Sequence, residues 1–220
     1  MDHNVLIQND NYRIRWWSPA IFVVVLPALL LPSVWLFGPR GVLPMLAAFF
    51  GSALLALVIA VVPLGRRAFV ALGFRAVGWR PIVGGTLVAL AVSIGVTQLG
   101  VEPEGIKQAM DIAREPPLFM ASLMLMGVLA PLVEEMVFRG LLYGWLSGMW
   151  GGWSAWIISS ICFAAAHLEP AHVLLVLPLG LWLGWLRRRT DSLWPSLVAH
   201  MVNNSLAVAA AALLDAGGQS

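Results

Sequence analysis

The sequence predicts an all-α fold, a polytopic integral membrane bundle with about seven transmembrane helices or six plus a re-entrant segment. Of its 220 residues, 60% are hydrophobic and 11% are charged, and the mean hydropathy is +0.86, so the chain is far more apolar than a soluble domain. The apolar residues form runs of about 20, the length with which a helix crosses a bilayer. A net charge of +2 is too small to indicate a nucleic-acid partner, and the lipid bilayer is the predicted surrounding.

Three spans are predicted in the first half of the chain, at about residues 18–37, 42–64 and 82–99. The loop between the second and third spans has no acid and four arginines, namely Arg66, Arg67, Arg75 and Arg80. Cytoplasmic loops are rich in Lys and Arg. This loop, and with it the N-terminal tail at residues 1–17, is therefore predicted to be cytoplasmic.

A long polar loop at residues 100–117 completes the predicted N-terminal region, 18–117. Its charged residues, acids first, are Glu102, Glu104, Asp111, Glu115, Lys107 and Arg114. Because the acids are in excess, the loop is predicted to face outwards. Residues 105–114 are predicted to form a short surface helix that ends before Pro116 and Pro117.

Residues 118–214 are predicted to form the membrane core, with helices at about 118–147, 153–167, 172–186 and 193–214. The first of these is longer than one crossing requires. The run Arg187-Arg188-Arg189 after the third predicts a return to the cytoplasm. The single cysteine, Cys162, excludes an internal disulfide and is predicted to be a small core residue.

Three charged residues, Glu134, Glu135 and Arg139, interrupt the apolar run of the first core helix. Each costs roughly 2.5 to 3.5 kcal/mol at the centre of a membrane helix, so they need compensation. Glu135 and Arg139 are one turn apart and are predicted to pair. Glu134 points about 100° away from Glu135, towards neighbouring helices, and is therefore the carboxylate predicted to do chemistry.

The strongest further polar side chains within predicted spans are His167, His200, Asn203 and Asn204. His200 and Asn204 share a helix face, as do Phe163 and His167, because residues four apart lie one turn above each other. The predicted depths of these groups and of the acidic residues permit one buried cluster.

Such a cluster has the parts of a hydrolase without a Ser or Cys nucleophile. A carboxylate in a poorly hydrated pocket is a stronger base than one in water, which suits Glu134 to accept a proton from water. His167 could share that water or pass the proton to a leaving amine. His200 and the Asn204 amide could donate hydrogen bonds to an oxyanion.

Three motifs occur in order along the core: Glu134-Glu135-x-x-x-Arg139, Phe163-x-x-x-His167 and His200-x-x-x-Asn204. Together they resemble the CPBP family of intramembrane proteases, also called the Abi or CAAX prenyl protease family. The resemblance implies a multi-helix membrane fold with a catalytic cavity, in the plasma (cell inner) membrane. It also implies an endopeptidase acting on a membrane-anchored protein or peptide, such as a CAAX-like tail, a leader or a sorting segment.

Carried over from the family, Glu134 and His167 would activate the water, and His200 and Asn204 would stabilise the oxyanion. The supporting residues would be Glu135, Arg139 and Phe163.

Members of the family are described both as metalloproteases and as glutamate-dependent. A zinc enzyme would use Glu134, His167 and His200 as ligands, but no His-Glu-x-x-His helix marks a zinc site independently. A mechanism without a metal cofactor is therefore predicted, with Zn²⁺ as the alternative. Glu169 and His172, close to His167 in sequence, are predicted to be solvated loop residues rather than ligands.

Three other interpretations compete with the protease. The charged residues could form a buried network that only fixes helix register. Intramembrane Glu and His also form proton relays, but the repeated halves with interrupted helices that are typical of transporters are not apparent. A non-catalytic immunity or scaffold protein could keep the same residues. A proton relay would tolerate Asn204→Ala better than a protease would.

Overall fold

The computed structural model describes residues 13–101 and 103–214 of the chain. Most of the predicted cytoplasmic tail and Glu102 lie outside the described residues. Within the described part, all regular structure is helical, which confirms the predicted all-α class. Eight helical runs follow each other: α1 Trp17–Phe37, α2 Val42–Val61, α3 Ala68–Leu72, α4 Trp79–Thr97, α5 Glu104–Arg114, α6 Pro116–Ala165, α7 Pro170–Thr190 and α8 Trp194–Leu214.

Six of these runs, namely α1, α2, α4, α6, α7 and α8, are long and apolar enough to cross a membrane. They carry the spans predicted from the sequence. The surface of α1 is almost entirely apolar and unburied, as expected of a helix that faces lipid. The protein is therefore an integral membrane protein.

The run α6 contains two antiparallel arms that meet at Gly151. That residue has φ +78° and ψ 166°, a conformation that essentially only glycine adopts. Tyr143 and Leu146 before the break pack with Ala155 after it, so the chain reverses. The predicted fourth and fifth helices are thus both present, as a first arm at 116–150 and a second arm at 152–165. The second arm is only about 21 Å long.

Two π-helical stretches, Leu123–Leu129 and Met136–Leu142, flank the α-helical turn Ala130–Glu135 in the first arm. Pro131 has no N–H and cannot donate a helical hydrogen bond. A donor at this position would bond to Met126 O, five residues earlier, in a π-helix, or to Gly127 O, four residues earlier, in an α-helix. Those carbonyls accept side-chain bonds from α8 instead. The Asn204 amide donates to Met126 O at 3.4 Å, and the Ser205 hydroxyl donates to Gly127 O at 3.3 Å.

The core of the bundle forms where α8 packs against α4, α7 and the first arm of α6. The second arm of α6 packs against α7 as an antiparallel pair, with Gly180 and Gly184 of α7 against Phe163, Trp156 and Ser160. This arrangement brings α6 and α8, which carry the predicted site residues, side by side.

The arginine-rich loop after α2 contains the short helix α3 and docks on the turn between α7 and α8. Gly73 O accepts the Leu193 N–H at 2.7 Å, and the Ser192 hydroxyl donates to Arg75 O at 2.7 Å. Arg75 also forms an ion pair with Asp191. The two basic loops therefore lie at the same end of the bundle, as the predicted topology requires.

Three local expectations are refined by the structure. The predicted surface helix is present as α5, but Pro116 and Pro117 begin α6 instead of lying in a loop, since proline fits the first turn of a helix. Cys162 is exposed on the second arm, so its assignment to the core was wrong. It lies on the side of a short arm that no neighbouring helix covers.

Candidate active site

The charged residues of the first arm form the buried ion pair predicted from their spacing. Arg139 Nη1 lies 3.0 Å from Glu135 Oε1, and both side chains are fully buried. Arg139 Nη2 also donates to Gly180 O at 2.8 Å, and the guanidinium carbon lies 4.1 Å from the centroid of the Phe163 ring. These contacts compensate much of the cost of burying the pair in an apolar bundle.

His200 of α8 lies between the two carboxylates of the first arm. Its Nδ1 is 3.2 Å from Glu135 Oε1, and its Nε2 is 3.6 Å from Glu134 Oε2. The first distance fits a hydrogen bond, whereas the second is too long for one. An Nδ1–H donated to Glu135 satisfies the buried contact and directs Nε2 towards Glu134.

Glu134 is the accessible member of this group, because 19% of its side chain is exposed whereas Glu135 and Arg139 have none. Two carboxylates and one guanidinium carry one net negative charge. The exposed part of this charged cluster is therefore the Glu134 carboxylate.

His167 lies in the turn after the second arm, and one nitrogen of its imidazole contacts the backbone of that arm. Its Nδ1 lies 3.0 Å from Phe163 O, which requires an Nδ1–H donor and leaves Nε2 available as a base. The buried Phe163 ring packs edge-on against both His167, at 5.2 Å, and His200, at 5.7 Å between centroids. No direct hydrogen bond joins His167 to Glu134 among the described residues, so Phe163 is the group that links the three predicted motifs.

Asn204 lies one turn beyond His200 on α8, as its spacing predicted. One amide N–H is used by Met126 O, and Asn204 Oδ1 accepts a bond from Asn203 at 3.3 Å. An amide nitrogen has two N–H groups, so one remains for a ligand. His200 and Asn204 thus share a face, but each is also bonded to the protein.

The alternative zinc site requires Glu134, His167 and His200 to converge on one ion at about 2.0 to 2.2 Å. Across residues 13–101 and 103–214, no three His, Cys, Asp or Glu side chains are grouped closely enough to hold a metal ion. Glu134 and His200 are close enough to share a cation, but His167 does not complete the set. The residues as arranged do not fit a zinc site.

Comparison with known proteins identifies the region that holds these residues. Residues 116–206 match the family model described as "Type II CAAX prenyl endopeptidase Rce1-like". Every predicted site residue lies in this segment, which begins with α6 and ends two residues after Asn204. This region is therefore similar to the Rce1-like family.

A second comparison agrees with this assignment. The chain is 27% identical over 121 residues to the "Putative membrane peptidase YdiL" of Bacillus subtilis (strain 168). The alignment covers 55% of this chain and 48% of that protein, so the chain spans about half the length of the curated relative it matches. No solved structure matches the chain.

Within the Rce1-like region, the structure adds three residues that sequence reasoning missed. Gly180 accepts the Arg139 bond, and an added Cβ there would lie 2.8 Å from the Phe163 ring. The sequence gives no signal for this role, because the contact depends on how α7 packs against α6.

The other two are Glu169 and His172, which were predicted to be solvated loop residues rather than ligands. Both are partly exposed, but His172 lies in the first turn of α7. The His172 ring packs against His167 with 4.4 Å between centroids. The Glu169 carboxylate bonds to the start of α5. The Glu169 contact joins segments far apart in sequence, and the His172 contact spans a turn. No local sequence pattern predicts either contact.

Proposed function

We propose that this protein is an intramembrane endopeptidase that hydrolyses a peptide bond of a membrane-anchored protein or peptide. The observation that carries the proposal is the position of the partly exposed Glu134 carboxylate, 3.6 Å from Nε2 of a buried His200. The similarity of residues 116–206 to the Rce1-like family supports it.

In the proposed mechanism one proton moves between Glu134 and His200, and this gives each group a role. When the proton is on His200, Glu134 is an ionised carboxylate that can accept a proton from water. His200 then presents an Nε2–H that can donate to an oxyanion. Glu135 holds the opposite nitrogen, Nδ1, at 3.2 Å, so the imidazole keeps its orientation in this state.

The proposed reaction begins when Glu134 takes a proton from water as the water oxygen attacks the carbon of the scissile carbonyl. A C–O bond forms, and the electron pair of the carbonyl moves to its oxygen, where His200 Nε2–H and the free N–H of Asn204 stabilise the negative charge. The C–N bond then breaks. The proton held by Glu134, passed through His167, neutralises the leaving nitrogen.

The proposed reaction uses no metal. The reason for this choice is that the carboxylate and the imidazole can supply both proton transfer and charge stabilisation. Within the membrane-anchored class, the substrates proposed are a CAAX-like tail, a leader peptide or a sorting segment.

The proposal is tested by incubating the purified, detergent-solubilised protein with a panel of membrane-anchored peptides and identifying the products by mass spectrometry. Wild type is compared with Glu134→Ala and with Glu115→Ala, an exposed acid of the outer loop, each with and without a metal chelator. We expect cleavage by wild type and Glu115→Ala in both conditions and none by Glu134→Ala.

Other outcomes assign the protein differently. Loss of wild-type cleavage with the chelator, restored by Zn²⁺, would replace the proposed mechanism by a metal-dependent one. If the wild type cuts nothing while it transports protons, and Asn204→Ala leaves that transport intact, the proton-relay interpretation takes the place of the protease. An immunity or scaffold role would show neither activity.

A further inference from the structure

The turn between α6 and α7 is tied to the start of α5 by one side chain, Glu169. Its carboxylate accepts hydrogen bonds from the backbone N–H of Glu104, at 2.9 Å, and of Gly105, at 3.4 Å. The residue before α5 is Pro103, which makes no side-chain cap. Glu169 therefore satisfies the first N–H groups of a helix that would otherwise lack partners.

The same turn contains a strained residue between His167 and Glu169. Leu168 has φ +62°, a left-handed conformation that bulky residues rarely adopt. Its side chain is 86% exposed, so packing does not offset the strain. The conformation persists only because its neighbours fix it.

Those neighbours are fixed on both sides of Leu168. The Glu169 N–H donates to His167 O at 2.7 Å, and Pro170 begins α7. The Glu169 side chain is held in turn by α5, whose buried Ala113 packs with Met126 of α6 and Val208 of α8. The turn is thus anchored to a helix that is itself packed on the bundle.

His167 is the residue directly before the strained position. Its backbone N–H is bonded to Ala164 O at 3.1 Å, and its imidazole depends on the short contacts to Phe163 O and to the His172 ring. A change of φ at Leu168 alters the position of His167 relative to Glu169 and to the His172 ring against which its imidazole packs.

We propose that Glu169 is a positioning residue of the active site: by capping α5, it holds the strained Leu168 turn and thereby places His167. The kinetic consequence of this inference rests on the proposed peptidase function. Its structural consequence rests on the hydrogen bonds of Glu169 alone, so the two are tested separately.

The structural test is amide hydrogen exchange of the purified full chain, comparing Glu169→Ala with the control Glu115→Ala. We expect the amides of residues 104–107 and those of residues 167–169 to exchange at least about tenfold faster in Glu169→Ala only. The first segment loses its acceptor, and the second loses the tether that holds its strained turn. Faster exchange at residues 104–107 with unchanged exchange at 167–169 would overturn the positioning role. Unchanged exchange in both segments would overturn the tether itself.

A second pair of variants keeps the test decisive if Glu169→Ala folds poorly. Glu169→Gln retains an acceptor oxygen for Glu104, so its exchange at both segments should lie between wild type and Glu169→Ala. Leu168→Gly removes the strain, so the double variant Leu168→Gly with Glu169→Ala should recover slow exchange at residues 167–169 but not at 104–107. Recovery at neither segment would contradict the proposed strain.

The kinetic test uses a peptide that the wild type cleaves. Glu169→Ala should lower kcat by about tenfold to a hundredfold with KM within about twofold, because a misplaced catalytic group slows chemistry without weakening binding. The added Leu168→Gly should restore most of kcat. A purely stabilising role of Glu169 would instead lower the amount of folded protein, leave kcat per active site unchanged and show no rescue. If the wild type cleaves no peptide, the peptidase proposal fails, and the exchange results still decide the role of Glu169.

Discussion

At the residue scale, the three charged side chains of the first arm have different surroundings. Glu135 and Arg139 form an ion pair, whereas Glu134 is a single carboxylate. The pair is fully buried and bonded to His200 and Gly180, whereas Glu134 is partly exposed and has no direct hydrogen bond among the described side chains. The pair is thus held by its neighbours, whereas Glu134 is partly accessible.

This difference gives a prediction about stability. Arg139→Leu leaves the Glu135 carboxylate buried without its cation, and we expect the free energy of unfolding to fall by about 3 to 5 kcal/mol. Unfolding by denaturant in detergent micelles measures the change. The control is Gly84→Ala in α4, where an added Cβ meets nothing within 4 Å. A loss of less than about 1 kcal/mol in Arg139→Leu would contradict the assigned support role.

A second residue-scale prediction concerns Gly180. An added Cβ would lie 2.8 Å from Phe163, whose ring contacts His167, His200 and Arg139. We expect Gly180→Ala to lower the peptidase rate at least about tenfold and the stability by about 1 to 3 kcal/mol, since a packed core resists an added methyl. Cleavage assays and unfolding curves on the same sample check both. Wild-type activity in Gly180→Ala would show that Phe163 does not link the motifs.

At the scale of elements, the reversal of α6 at Gly151 determines which residues face each other. Phe138 of the first arm meets Phe163 of the second, with 5.5 Å between ring centroids, because the arms are antiparallel. The second arm is thereby placed so that Phe163 contacts both His167 and His200.

The reversal gives a prediction about backbone strain at Gly151. Steric contact does not contribute there, because an added Cβ meets nothing within 4 Å. Gly151→Ala should destabilise the protein by about 1 to 3 kcal/mol through backbone strain alone. The matched control is Gly51→Ala in α2, which also meets nothing but lies in an ordinary helical turn. Equal thermal stability of the two variants would contradict the φ value assigned to Gly151.

The sequence predicts the local features of the helices but not the contacts between them. The helices, their order and the pairing of Glu135 with Arg139 follow from apolar run length and one-turn spacing, which are local properties. The π-helical turns, the bond from Asn204 to Met126 O and the cap of α5 by Glu169 depend on which helices become neighbours. Spacing along one helix does not contain that information.

Helix spacing placed His200 on one face with Asn204, and the depth estimate allowed it to meet Glu134. That its other nitrogen bonds Glu135 could not be predicted, since the rotation of α8 against α6 sets this contact. The exposure of Cys162 escaped prediction for a related reason, because residues facing lipid and residues facing the core are equally apolar.

At the scale of the whole molecule, the basic residues of the loop at 66–80 and those of the last turn of α7, at 187–189, lie at one end of the bundle. At the other end, Glu169 of the turn between α6 and α7 caps α5. The positive-inside rule then predicts that α5 faces outwards and the basic loops face the cytoplasm. We expect Lys107→Cys in intact cells to react with a membrane-impermeant thiol reagent, and Arg66→Cys to react only after permeabilisation. Both are made in a Cys162→Ala background, and the reverse labelling would contradict the predicted orientation.

The central claim, that Glu134 activates water for peptide hydrolysis, is tested most directly by the single-turnover cleavage rate of Glu134→Gln. This variant keeps the size of the side chain but removes the base, so we expect the rate to fall by about 10² to 10⁴ while the unfolding curve of the same sample stays close to that of wild type. Cleavage at the wild-type rate by a folded Glu134→Gln would contradict the account.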